Sequence, residues 1–333
     1  MPERKSSFEL LRIISMLLIV SHHYVIHAGF DFSNMPFINT YYLHFLLAGG
    51  EIGVDIFVLI SAYFMSASTV SIKKIVKLEL QVFFYSVIIE LIFSLIFPET
   101  FSVKQLIKSF FPVMSEKYWF YNVYLLLYIL VPFLNSFIEK LERIQHQKLL
   151  ILLFIVLSVI PSVRKHWGEN FYSMLGWFIF LYFSSAYVRK YQSDFSRKST
   201  FYFFIGVIFY FIFISLFLGL DLSITFIFAN NFFVACIAAS FFLTFLNLNI
   251  GNNKAVNLIA SATFGVYLLH DNPMFRTFLW KNLFKNTAYQ QSNTLIVNSF
   301  IAIISVYMGC TLIDLIRRII FDSLFEKIWE TLK

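Results

Sequence analysis

The chain is expected to be all-α: a polytopic membrane protein of about ten transmembrane helices with both termini cytoplasmic. Three observations predict this. The chain is 59% hydrophobic and only 14% charged, where soluble domains are nearer one quarter charged. Its apolar stretches recur at lengths of roughly 17 to 25 residues, which is what a bilayer demands of a helix. Its Lys and Arg residues collect in the connecting segments, as orientation signals do.

The first span, 9–29, follows Arg4 and Lys5 as the apolar part of a signal peptide would. It lacks a small-residue cleavage site and contains Glu9 and Arg12, so it reads as a retained helix. The next spans are expected at 51–70, 75–97, 118–138, 148–163, 172–189, 200–219, 223–247, 256–271 and 294–320. Between the third and fourth, residues 102–113 read as an interfacial amphipathic helix, with Lys104 and Lys108 one turn apart. There is no Pro/Gly/Ser linker, repeat period or appended soluble segment, so 1–333 is expected to be a single domain. Cys236 and Cys310 both fall in apolar spans, which rules out a disulfide framework.

Orientation follows from the positive residues. With the N-terminus inside, most of the 26 Lys and Arg fall on the cytoplasmic side, among them Arg4, Lys73, Lys74, Lys77, Lys140, Arg143, Arg189, Arg197, Arg317 and Lys333. The outer side holds Lys104, Lys108, Lys117, Arg164, Lys165, Arg276, Lys281 and Lys285. The net charge of +7 is thereby accounted for, with no nucleic-acid partner.

The first span carries the chemistry. It is apolar enough to cross a bilayer, yet holds Glu9, Arg12, His22, His23 and His27. Ionisable groups inside a membrane are costly and usually face a protein interior or a water-filled cavity. At about 100° per residue, the eleven-residue step from Arg12 to His23 returns to nearly the same face, about 16 Å further along. Glu9 shares that face, and His27 sits one turn beyond His23. His22 points some 80° away and reads as structural. A polar stripe therefore runs from the cytoplasmic surface into the outer half of the membrane.

Glu51 and Asp55 are expected to open the second span, one turn apart, at a depth that His23 or His27 could reach. A carboxylate beside an imidazole fixes its tautomer and raises its basicity; the competing reading is a pair of solvated interfacial carboxylates. Lys73, Lys74 and Lys77 could hold the phosphates of a nucleotide-bearing donor, or serve only as positive-inside anchors. The histidines of the first span could ligate a metal, but no other Cys/His cluster completes a tetrahedral set, so no metal is expected. Glu90 and Asp314 are intramembrane carboxylates, suited to a proton pathway or to pairing. His270 is read as interfacial packing. Trp119, Trp167, Trp177 and Trp280 are read as an aromatic belt.

Four stretches, in order, resemble the motifs of the membrane acyltransferase 3 family. FELLRIISMLLIVSHH resembles its opening motif, an Arg followed after ten residues by a His, here Arg12 and His23. GEIGVDIFVLISAYFM is similar to its second-helix signature. YWFYNVYLLLYILVPFLN resembles its tryptophan-tyrosine-proline helix, and SATFGVYLLHDNP its late His-x-x-Pro motif. Where the family often has two arginines three apart, this chain has Lys74 and Lys77, which lack the bidentate fork.

The resemblance implies a bacterial cytoplasmic (inner) membrane enzyme. It would transfer an O-acetyl group from acetyl-CoA to a sugar hydroxyl of a cell-surface or lipid-linked glycan. The residue-level reading fits. Acyl transfer needs a base and a positive charge for the donor. His23 and Arg12 supply these, with Glu9 and Asp55 as supporting carboxylates and Lys74 and Lys77 for the donor's phosphates. The rival reading is a transporter or flippase of a glycan precursor. It would use the same polar stripe, but no inverted repeat or pair of broken helices is present.

Overall fold

The structure is a computed structural model that describes residues 5–163, 171–196, 198–219 and 228–331. Arg4, Arg164, Lys165, Trp167, Arg197 and Lys333 lie outside the described residues. The described chain is helical, with no strand among the described residues. In order the helices are α1 (Ser6–Ile26), α2 (Phe37–Met65), α3 (Ile72–Ile96), α4 (Val103–Phe110), α5 (Trp119–Lys140), α6 (Arg143–Phe154) and α7 (Ile160–Val163). They continue with α8 (Phe171–Lys190), α9 (Ser199–Gly219), α10 (Phe232–Leu246), α11 (Lys254–Ala260), α12 (Thr263–His270), α13 (Pro273–Thr277) and α14 (Leu295–Thr331). A π-helical turn, Ile155–Val159, joins α6 to α7.

Seven helical stretches among the described residues are long and apolar enough to cross a membrane. They coincide with seven of the ten expected spans. The chain is an all-α, polytopic membrane protein. Of the other three spans, 172–189 is occupied by α8, and 223–247 is described only as the 15-residue α10. The span at 256–271 is divided into α11 and α12 by a turn at Ser261–Ala262.

Two helices are longer than expected. The helix placed at 51–70 begins at Phe37 and runs for 29 residues. Gly49 and Gly50 sit inside it without breaking it, because α1 packs against them. A Cβ on Gly50 would lie 2.3 Å from the His22 ring, and one on Gly53 would lie 2.5 Å from the Ser15 carbonyl oxygen. Small residues at such a crossing let two backbones approach closely. Glu51 and Asp55 therefore lie within α2 rather than at its start. The last helix, α14, has 37 residues and continues past 320.

The helices form two compact units. The first comprises Met1–His22, Leu43–Val70 and Val123–Ala260. Phe8 anchors its core, 5.2 Å from the Tyr63 ring, 5.6 Å from Phe64 and 5.5 Å from Phe242. A polar ladder ties α8 to α2. Trp177 Nε1 donates to Asp55 Oδ1 at 2.8 Å, Ser185 Oγ to the Leu59 carbonyl at 2.8 Å and Arg189 Nη1 to the Tyr63 carbonyl at 2.7 Å. In an apolar setting such pairs are needed, since an unpaired buried polar group is expensive.

The second unit comprises His23–Tyr42, Ser71–Asn122 and Ser261–Lys333. Helices α3, α12 and α14 meet around Asp314. Its Oδ1 accepts from Tyr85 Oη at 2.8 Å, Gln81 Nε2 at 3.2 Å and Arg317 Nε at 2.8 Å. A Cβ on Gly265 would lie 2.1 Å from the Asp314 carboxyl carbon, so only glycine lets α12 approach α14 there. Glu90 pairs with Lys117 at 3.6 Å. Both carboxylates thus take the paired reading. Burial holds the Lys117 ammonium pKa below its ordinary value, partly offset by Glu90.

Candidate active site

The second unit gathers the residues best suited to chemistry, and the run His270-Asp271-Asn272-Pro273 builds their setting. His270 is the last residue of α12 and Asp271 caps it. Asn272 is the N-cap of α13, its side chain accepting from the Met274 N–H, and Pro273 stands at the first helical position. Each residue suits its place: Asn supplies the cap acceptor, and Pro needs no N–H partner at N1. Tyr118 clamps this corner. Its hydroxyl donates to the Leu268 carbonyl at 3.0 Å and accepts from Asn272 Nδ2 at 3.0 Å. Two successive helix ends therefore hold the His270 ring and the Asp271 carboxylate at one fixed point.

His23 and His27 meet them from α1 and the turn that follows it. His23 Nδ1 lies 2.8 Å from His270 Nε2 and 3.8 Å from Asp271 Oδ1. His27 Nε2 lies 3.5 Å from the same Asp271 oxygen, close enough to pair electrostatically but without a hydrogen bond. Arg276 Nη1 brings a fixed positive charge to the same carboxylate, 3.1 Å from Asp271 Oδ1. Its centre is buried: His23 is 8% exposed, Asp271 3% and His270 0%. Low dielectric strengthens each of these interactions. The donor atoms of His23, His27 and Asp271 lie within 4.8 Å of one another, so among the described residues these three form a set that could hold a divalent cation. Arg276 opposes that use, because Asp271 already faces a fixed positive charge.

Arg12 and Glu9 form their own pair in the first unit. Arg12 Nη1 donates to Glu9 Oε1 at 2.8 Å, and the guanidinium lies 5.7 Å from the centre of the Phe64 ring. Nearby, Lys5 lies over one face region of Tyr63 at 5.7 Å and Arg189 at 4.7 Å. The end of α2 thus collects cations, as its terminal carbonyls favour. Asp55 is fully buried and bonded to Trp177, while the carboxylate found beside His23 is Asp271. His22 turns away from the stripe, with Nδ1 donating to the Leu47 carbonyl at 2.6 Å.

Lys74 is exposed on α3, Lys77 pairs with Asp322 at 2.9 Å and Lys73 pairs with Glu326. A cavity of about 450 Å³ opens beside Lys77, lined by Gln81, Arg317 and the rings of Phe321, Phe325 and Trp329.

Sequence reasoning treated His270 as interfacial packing and did not single out Asp271. The available signal was a His-Asp pair set directly before an Asn-Pro helix start. Two tryptophans also need correcting. Trp177 and Trp280 are fully buried in protein, so they are core residues rather than an aromatic belt. Among the described tryptophans expected in that belt, the partly exposed Trp119 is the one that suits it.

An acyltransferase domain model matches residues 5–315. No curated protein and no solved structure matches the chain. With nearly its whole length matched, the chain belongs to the acyltransferase 3 family and is a membrane acyltransferase.

Proposed function

We propose that this enzyme transfers an acetyl group from acetyl-CoA to a sugar hydroxyl of a cell-surface or lipid-linked glycan, in the cytoplasmic membrane of a bacterium, with His23 as general base. The observation that carries the reading is the surroundings of His23: a buried imidazole with a carboxylate 3.8 Å from one ring nitrogen. A base needs its other nitrogen unprotonated and its charged form stabilised, and that arrangement supplies both.

In the proposed reaction the acceptor hydroxyl gives its proton to His23 as its oxygen attacks the thioester carbonyl. The tetrahedral oxyanion collapses and expels the CoA thiolate. The imidazolium returns the proton to that thiolate, leaving an ester, free CoA and the original imidazole. Asp271 balances the imidazolium while it exists. Lys74 and Lys77 are the proposed partners of the donor's phosphates. Arg12, held by Glu9, adds positive charge further along α1. Asp55 supports α2 through Trp177.

The test is acetyl transfer from labelled acetyl-CoA by purified protein in nanodiscs. His23→Ala should lower turnover by about 10² to 10⁴, the usual worth of a general base. Near-normal turnover in that variant removes His23 from the role. Protein that moves a glycan precursor across vesicles without consuming acetyl-CoA would support the transporter reading instead.

A further inference from the structure

We propose that His270 is the positioning residue for His23. It holds His23 in the tautomer protonated on Nδ1, so that the lone pair stands on Nε2. The proposal rests on the reading of His23 as the base, and it says which nitrogen acts and why.

The argument starts one turn back along α12. His270 Nδ1 lies 2.6 Å from the Val266 carbonyl oxygen. A carbonyl oxygen only accepts, so Nδ1 carries the proton. A neutral imidazole protonated there has its lone pair on Nε2. That Nε2 lies 2.8 Å from His23 Nδ1. Two lone pairs cannot face each other at hydrogen-bond distance, so His23 Nδ1 must donate. Its proton is then committed, and Nε2 of His23 is the basic atom. A backbone carbonyl thus sets the proton position of the reacting ring through one intervening imidazole.

Asp271 supports the same assignment independently. Its Oδ1 lies 3.8 Å from His23 Nδ1, and a carboxylate favours a protonated nitrogen at that distance. Arg276, 3.1 Å from that oxygen, favours the ionised carboxylate. When His23 takes the acceptor's proton on Nε2, the Nδ1–H bond to His270 stays as it was. The new positive charge faces Asp271, and no proton passes to His270. The logic is that of a triad, in which a third group orients the base. Here the orienting acceptor is a neutral imidazole, and the carboxylate stands beside the pair instead of in line with it.

The experiment uses the full chain in nanodiscs. Nitrogen NMR of ¹⁵N-histidine protein should show His23, identified by its loss in His23→Ala, with Nδ1 protonated and Nε2 unprotonated. A His23 signal protonated on Nε2 overturns the proposal. In kinetics, His270→Leu should lower kcat by about 10²-fold with KM for acetyl-CoA unchanged, because the base loses its orientation while donor binding is untouched. His270→Gln should recover most of the rate, since its amide oxygen accepts from His23 Nδ1. A folded His270→Leu enzyme with wild-type kcat overturns the proposal, as does a His270→Gln enzyme no better than a folded His270→Leu. If His270→Leu fails to fold, His270→Gln compared with wild type and the wild-type spectrum still decide. Full activity in His23→Ala would instead remove the base reading, whatever tautomer the spectrum reports.

Discussion

Adjacent histidines on α1 have different duties because about 100° of helix separates them. His22 donates to the Leu47 carbonyl and fills the space that Gly50 leaves open. His23 meets His270 and Asp271. Gly50 is therefore required as the space for a ring, not for backbone freedom. Gly50→Ala would set a methyl group 2.3 Å from the His22 ring. Overpacking of this kind costs about 1–3 kcal/mol. We expect a clear fall in Tm for purified Gly50→Ala protein, with partial recovery in Gly50→Ala/His22→Ala. An unchanged Tm in the single variant would mean that α1 and α2 do not depend on this contact. At this scale Arg12, Glu9 and His23 were legible, because charged and polar residues stand out in an apolar helix. His270 and Asp271 were not, because a His-Asp pair at a helix end looks the same whether or not another imidazole faces it.

Among the elements, α14 and α3 show what helix length can do. At 1.5 Å per residue, 37 residues extend about 55 Å, well beyond the roughly 30 Å hydrocarbon layer. The last turns of α14 are therefore free to carry charge, and Asp322 and Glu326 pair there with Lys77 and Lys73 of α3. The Lys77–Asp322 pair is partly exposed, with side chains 40% and 24% accessible. Such pairs contribute about 0.2–1 kcal/mol, little enough for a phosphate to replace the carboxylate. Lys74→Gln/Lys77→Gln should therefore weaken acetyl-CoA binding, on the order of tenfold, and flatten its salt dependence. Competition binding in nanodiscs measures both. Unchanged affinity would leave these lysines as topology anchors. The elements the sequence placed best were long uniform spans such as α3 and α5. It placed the start of α2 at 51, whereas the helix begins at Phe37.

Across the whole chain, the positive-inside pattern predicts the sidedness of the loops. In a variant with Cys236 and Cys310 replaced, Lys285→Cys should react with an impermeant thiol reagent from outside, and Glu142→Cys only after permeabilisation. The reverse result would invert the topology and the depth assigned to His23. Composition and hydropathy alone determined that this is an all-α membrane protein, because a bilayer demands long apolar helices whatever their packing. Motif order alone pointed to the family, because the residues that carry it are local in sequence. Partnership was decided only by tertiary structure. The carboxylate beside His23 is Asp271, far along the chain, while Asp55 is bonded to Trp177. Asp314 is held by Tyr85, Gln81 and Arg317. Buried polar groups must find partners, but which ones they find depends on which helices touch, and helix periodicity carries no record of that.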